Sequence, residues 1–183
     1  VRVGRAPGRI DIMGGLAEAT GSLSLSYPTS EAALVAVRSG GGEICIRILD
    51  SGSNGSDPSA TLSLDAFRAD SDGPDRITTA RKTLGMLSES WARPIAAVLF
   101  ALQHNHVIET YPEGLQIVAW GSLPVDSDAG HIQALMVATS VVIPAACGVD
   151  INPETAANAC QYAGVKLLHM PDISGPTVCS LIG

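Results

Sequence analysis

Basic residues are scarce in this chain. Eleven lysines and arginines stand against eighteen aspartates and glutamates, a formal charge of −7 over 183 residues. Counterion release on a nucleic acid or an anionic membrane needs a basic face, so that balance excludes both as partners. It leaves room for one phosphate ligand held by backbone amides and a single arginine. Metal-ligand spacing is missing too: Cys45, Cys147, Cys160 and Cys179 lie far apart and form no CxxC or CxxH pair. A chain of this length needs no disulfide framework, so the four read as buried free thiols in a reducing compartment. No charged-then-apolar leader opens the sequence, and the expected location is cytoplasmic. The most apolar run, Ile132 to Cys147, carries Gln133, Thr139, Ser140 and Pro144. It is too short and too polar to span a bilayer and reads as a buried helix. No GxSxG, HExxH or Walker-type phosphate loop occurs, which removes those hydrolase, zincin and NTPase readings.

What remains is a globular composition, 46% hydrophobic and 16% charged. Strand signals fill the first half. Leu23, Leu25 and Tyr27 alternate with serines, Ala32 to Val37 is a buried run, and Ile44, Ile46 and Ile48 share one face. Ala60 to Phe67 reads as a further short strand, with polar loops at 51–59 and 69–75. Helices dominate afterwards. Ile95, Val98, Leu99 and Leu102 mark one face of a helix over 94–103, and a strand spans 114–120. A long apolar helix follows over 130–146, which Pro144 should end or kink. Asn152 followed by Pro153 starts the last helix, with Gly164 a weak point within it. Met170 to Gly183 shows no clear terminal element. No repeat or linker divides the chain, so residues 1–183 are expected to form one α+β domain.

Glycine punctuation near the start carries more information. Gly4-Arg5-Ala6-Pro7-Gly8-Arg9-Ile10-Asp11-Ile12-Met13-Gly14-Gly15, with Ala17 to Leu23 behind it, resembles the N-terminal motif of the GHMP small-molecule kinases. Within that superfamily it is most similar to the galactokinase and L-arabinokinase branch. The resemblance continues through 91–101 and 114–124 and covers nearly the whole chain. It implies the ribosomal-protein-S5-domain-2-like fold of the family's N-terminal domain, with the family's C-terminal domain absent.

The resemblance also locates departures. Where the family has its ATP phosphate loop, this chain reads Pro124-Val125-Asp126-Ser127-Asp128-Ala129-Gly130-His131-Ile132. Asp126 and Asp128 occupy glycine positions, and Gly130, His131 and Ile132 replace a serine run that caps the helix and helps hold Mg²⁺. Glycines let the backbone approach the phosphates, and free N–H groups at a helix start bind the anion. A carboxylate about 5 Å from a phosphate charge, at an effective dielectric near 20, costs on the order of 3 kcal/mol. Read without that resemblance, both aspartates are caps of the following helix. Counting on from Cys160-Gln161 to Gly183, the family's catalytic-aspartate position holds Pro176, which cannot accept a proton. Asp172, four residues earlier, reads as a turn residue.

Arg9 matches the motif arginine, where the resemblance implies stabilisation of a transferring phosphate; the plain alternative is an ion pair in a tight turn. Asp11 and Glu18 fall where the sugar-kinase branch places sugar-facing groups, Glu18 replacing an aspartate and Ala19 a tyrosine. The plain reading is solvated loop carboxylates. His104, His106 and His169 read as polar connections, with no metal site. The implied ligands are therefore a small sugar or a nucleotide, with Mg-ATP the cofactor only if activity remains and no other cofactor expected. Three functions follow: an inactive sugar-kinase-like domain kept as a binding or interaction module, the N-terminal half of an active galactose- or arabinose-type kinase, or a structural dimerisation unit. Loss of the second domain exposes apolar surface, so a homodimer is expected unless that domain covers it.

Overall fold

The computed structural model describes residues 1–13, 23, 25–49, 58–67, 74–111, 113–124, 130–171, 177–178 and 180–181. Five strands form one sheet: β1 (Arg2–Met13), β2 (Leu25–Ser39), β3 (Ile44–Ile48), β4 (Ser59–Leu62) and β5 (Leu115–Gly121), in the order β1-β2-β5-β3-β4. Neighbours are antiparallel except β3 and β5, which run parallel. Period-two alternation decides which face is covered. Ala33, Val35 and Val37 of β2, Ile44 and Ile46 of β3, and Leu115, Ile117 and Ala119 of β5 are buried, while their neighbours in each strand, Ala32 excepted, are not.

Four α-helices follow: α1 (Pro74–Met86), α2 (Arg93–His104), α3 (His131–Ala146) and α4 (Pro153–Gln161). α3 packs against β1 and β2, α2 packs on α3, and α1 and α4 flank α2. The apolar run at 132–147 is thus a core helix, and no helix among the described residues is long and apolar enough to cross a membrane. Pro144 falls in the last turn, where it cannot donate to the Ser140 carbonyl, and the helix ends two residues later at Ala146.

α2 departs from the single apolar face expected of it. Every residue from Pro94 to Gln103 is buried, because α1, α3 and α4 enclose it on several sides. Two more expectations need correction. The strand read over 60–67 is β4 followed by a 3₁₀ turn, Leu64–Phe67, whose Phe67 stacks on Phe100 with centroids 4.3 Å apart. The apolar positions of the Leu23–Tyr27 alternation lie exposed, Tyr27 at 63%, because this half of β2 pairs only with β1 and runs past β5.

Asn152 caps α4 as its sequence implies, its side-chain oxygen accepting the Thr155 N–H at 2.8 Å. At Gly164 the helix does weaken: Tyr162–Leu167 widens into a π-helix, and the Leu168 N–H reaches back to the Ala163 carbonyl. Beyond it, Thr177, Val178, Ser180 and Leu181 are helical, an ending the sequence did not signal. Among the thiols Cys160 is buried, while Cys45 and Cys147 are half-buried; all three are free, and Cys179 lies outside the described residues. Burial pushes the Cys160 thiol up to about 12, against a smaller lowering by a hydrogen bond with Ser140.

One close approach fixes the helix layer on the sheet. A Cβ at Gly4 would stand 2.6 Å from the Ala138 carbonyl oxygen and 2.9 Å from Val142 Cβ, both on α3. Gly4→Ala is therefore expected to force α3 off β1 and lower stability by roughly 1–3 kcal/mol, as overpacked cores do. Urea denaturation of the variant checks it; an unchanged midpoint would mean that the contact is slack.

Candidate functional site

Arg9 sits at an irregularity that re-aims it. Between the pairs Pro7↔Ala32 and Arg9↔Pro28, β1 advances two residues while β2 advances four, a bulge that interrupts the ladder just before Arg9. Its side-chain stem crosses the start of α3: a Cβ at Gly130 would lie 3.3 Å from Arg9 Cγ. The guanidinium Nε and Nη1 atoms are buried and make no hydrogen bond. The ion pair proposed as the plain reading of Arg9 is thus not formed by these atoms. A buried cation without partners is costly, and an anionic ligand would relieve that cost.

The helix end beside it is prepared for the same chemistry. Gly130 is the N-cap of α3, with φ of 75° and no capping side chain. That left-handed conformation favours glycine. The first helical bond runs from the Ala134 N–H to the Gly130 carbonyl at 2.8 Å, so helix geometry offers no intrahelical partner to the amides of His131, Ile132 and Gln133. Those amides and the positive end of the helix dipole face where an anion would bind. The N-cap itself is glycine, and the capping role read for Asp126 and Asp128 falls on residues outside those described.

His131 completes the corner. Its ring lies over the end of β5, with Cε1 3.6 Å from where a Gly121 Cβ would be, and its Nδ1 is buried without a partner. Burial holds the imidazole below its ordinary range, so it is neutral near pH 7. Next to it Ser122 ties β5 to β2 twice: its Oγ accepts the Ala32 N–H and its N–H donates to the Ala32 carbonyl, both at 3.2 Å. The resemblance places His131 with Asp126, Ser127, Asp128 and Gly130 as nucleotide-binding candidates, whereas Gly121 and Ser122 are not singled out by the sequence. Their signal was present in the Trp120-Gly121-Ser122 strand end, where small residues admit a ring.

Asp11 lies exposed opposite Ser26, two positions along β1 from Arg9 and so on the same face of the strand. Arg9, Gly130 and His131 are therefore brought together, with Asp11 beside them. Glu18, Asp126, Ser127, Asp128 and Pro176 lie outside the described residues. The first turn of α3 offers Mg²⁺ neither hydroxyl nor carboxylate: it presents His131, Ile132, which is 41% exposed, and Gln133. Among the described residues no group of three His, Cys, Asp or Glu side chains is placed to hold a metal ion.

No protein-family model matches the chain. It is 29% identical over 192 residues to L-arabinokinase of Arabidopsis thaliana, an alignment covering 92% of this chain and 18% of that protein. The mevalonate kinase of Methanococcus jannaschii superposes with a TM-score of 0.73 at 13% identity, covering 96% of this chain and 50% of that one. A Lactococcus lactis galactokinase complexed with galactose superposes with a TM-score of 0.66 at 13% identity, covering 94% and 41%. The chain carries the fold of the GHMP small-molecule kinases. This GHMP-type domain spans about half of the mevalonate kinase and less than a fifth of L-arabinokinase.

Two measurements probe the corner. Inorganic phosphate is expected to raise the melting temperature of the parent protein by a few degrees, and to leave Arg9→Met unmoved, since a ligand that binds only the folded state stabilises it. Equal shifts in both would detach Arg9 from the anion. His131 makes a separate prediction. Its folded-state pKa lies below the ordinary 6.5, so as pH falls below that value the unfolded chain takes up the proton first and stability drops. In His131→Gln the fall in melting temperature between about pH 8 and about pH 5.5 should be smaller.

Proposed function

We propose that this chain is a sugar-kinase-like domain that no longer transfers phosphoryl groups and is retained to bind an anionic small molecule, a sugar phosphate or a nucleotide. The observation that carries the proposal is the Arg9 guanidinium, buried at Nε and Nη1 without partners beside the uncapped amides of α3. Arg9 Nε and Nη1 have no acceptor, the first α3 amides have no intrahelical one, and a phosphate oxygen satisfies both.

Phosphoryl transfer needs more than binding. The nucleophile must be positioned and relieved of its proton, and the charge spread over the transferring group must be neutralised. By the family resemblance the proton acceptor's place is taken by Pro176, and Asp126 and Asp128 bring negative charge to the phosphate loop. Mg²⁺ supplies charge neutralisation when bound in such kinases, and the hydroxyls that would help hold it are replaced here by His131 and by the exposed, apolar Ile132. What this chain's own residues retain is recognition: Arg9 fixes one anionic oxygen, the α3 amides another, and Asp11 stands where a sugar hydroxyl would meet it.

A second reading, the N-terminal half of an active arabinose- or galactose-type kinase, is favoured by the share of its relatives that the chain spans. One assay separates the two. With galactose or L-arabinose and Mg-ATP, ADP release should not exceed background. Turnover that disappears in Arg9→Ala would establish the active kinase instead. Calorimetry adds a second arm: Asp126→Gly with Asp128→Gly should tighten Mg-ATP binding by removing repulsion worth a few kcal/mol before screening, roughly a tenfold gain or more. No gain would mean that nucleotide does not approach that loop.

Self-association belongs to the same proposal. The half of the β1–β2 ribbon that runs past β5 exposes Ile10, Ile12, Met13, Leu25 and Tyr27, and β1 is an edge strand. Few monomers leave such a patch open, and an edge strand is a ready template for a second copy across a two-fold axis. Light scattering over a roughly tenfold dilution series should show a mass that rises with concentration above 18.8 kDa. A mass constant at that value refutes the dimer.

A further inference from the structure

The far end of α3 opens on a second site. The end of β2, the start of β5, the segment between α2 and β5, and the C-terminus of α3 enclose a cavity of about 590 Å³. That is within the range of small-molecule pockets, roughly 300–1,000 Å³. α3 separates it from the Arg9 corner by about 24 Å, sixteen residues at 1.5 Å each.

The walls are held from behind. The buried Gln103 amide donates to the Glu109 carbonyl at 2.8 Å and to the Phe67 carbonyl at 2.6 Å. The Tyr111 hydroxyl donates to the Leu99 carbonyl at 2.9 Å and its ring meets Phe67 edge-on with centroids 5.2 Å apart, which anchors this wall residue in the core. On the β5 side, Gly42 N–H donates to the Glu113 carbonyl at 2.9 Å and Leu115 N–H to the Glu43 carbonyl at 3.0 Å, tying the turn before β3 to the wall. Gly114 makes this crossing possible: its φ is 75°, and any Cβ there would strike the Glu43 backbone. The cavity is therefore preformed.

Its chemistry has one sign. The half-buried Val107, Ala146 and Val149 supply its accessible apolar surface, Ile108, Tyr111 and Leu115 line it while nearly fully buried, and Glu109 and Glu113 are exposed. Among the described residues no lysine or arginine lines it, and His106 is its one basic side chain. The negative end of the α3 dipole points the same way. Cys147, where α3 ends, adds no negative charge, since burial pushes its thiol up and keeps it protonated. We infer that this cavity binds a small organic cation, an amine whose apolar body lies on Val107, Ala146 and Val149 while its ammonium meets Glu109 and Glu113. The inference does not rest on the anion corner and stands if that reading fails.

Cys147 reports on occupancy. In the intact chain, 2-phenylethylamine and isoamylamine should slow N-ethylmaleimide labelling of Cys147, read by peptide mass spectrometry, and leave Cys45 unaffected because it does not line the cavity. Neutral 2-phenylethanol and anionic 3-phenylpropanoate should protect at least about tenfold more weakly, since both lack the charge-assisted contact. Glu109→Gln with Glu113→Gln should remove the preference for amines while far-ultraviolet circular dichroism confirms the fold. Equal protection by alcohol and amine would show a merely apolar pocket and overturn the proposal. So would no protection by either amine at ~10 mM, a concentration above the millimolar dissociation constant expected of so small a ligand.

Discussion

A Cβ at position 4 would stand 2.6 Å from the Ala138 carbonyl oxygen, so α3 lies against β1 with only a hydrogen atom's allowance between backbones. That contact sets the height of α3 over the sheet, and the two ends of α3 then fall where they do. Its N-terminus arrives at Arg9 and Gly121, and its C-terminus at Ser39, whose hydroxyl donates to the Ala146 carbonyl at 3.3 Å. α2 rests on α3 in turn, buried along its whole length, and the π-helix packs on α2. Removing the methyl group from one strand position is what permits the layers to meet at this distance.

The π-helix shows how long-range contacts finish what local sequence leaves open. One extra residue in the turn is accommodated at Gly164, where no side chain resists the wider coil. The Arg81 guanidinium on α1 then donates through Nε and Nη2 to the Lys166 carbonyl at 3.0 and 2.7 Å. On the other side Tyr162 stacks on His104 with ring centroids 4.1 Å apart. The Lys166 carbonyl thus finds a partner from another element, while the Ala163 and Gly164 carbonyls accept locally from the Leu168 and Met170 N–H groups.

Much of this architecture was legible because burial has a period. Ile44 and Ile46 on one face, the Asn152-Pro153 helix start and the apolar run of α3 read correctly, since each depends on neighbours two to four residues away. α1 was not legible. Its buried anchors, Ala80 and Leu84, are separated by Arg81, Lys82 and Thr83, and only packing on α2 makes that pattern a helix. Leu25 and Tyr27 misled in the other direction: alternation predicts a strand, but nothing local says whether a third strand or a helix will cover it. Of the candidate site, the family resemblance singled out Arg9, Gly130 and His131. The His131 ring over Gly121, and the cavity at Glu109 and Glu113, arise from segments far apart in sequence, and no local pattern encodes them.

The molecule thus presents opposite chemistries at the two poles of one helix, a bare cation with free donors at one end and, at the other, carboxylates with no lysine or arginine among the described residues. The dipole of α3 reinforces both. Direct electrostatic coupling between them is weak, because about 24 Å exceeds the Debye length of roughly 8 Å at physiological salt. Coupling would have to travel as movement of α3 itself, since packed elements transmit strain by shifting between discrete arrangements. Axial sliding drives Ala138 and Val142 past Gly4, where no space exists for anything larger than glycine, and Pro144 adds a rigid ring in the last turn. The helix is therefore held in register, and an anion at one pole and a cation at the other should bind independently of each other.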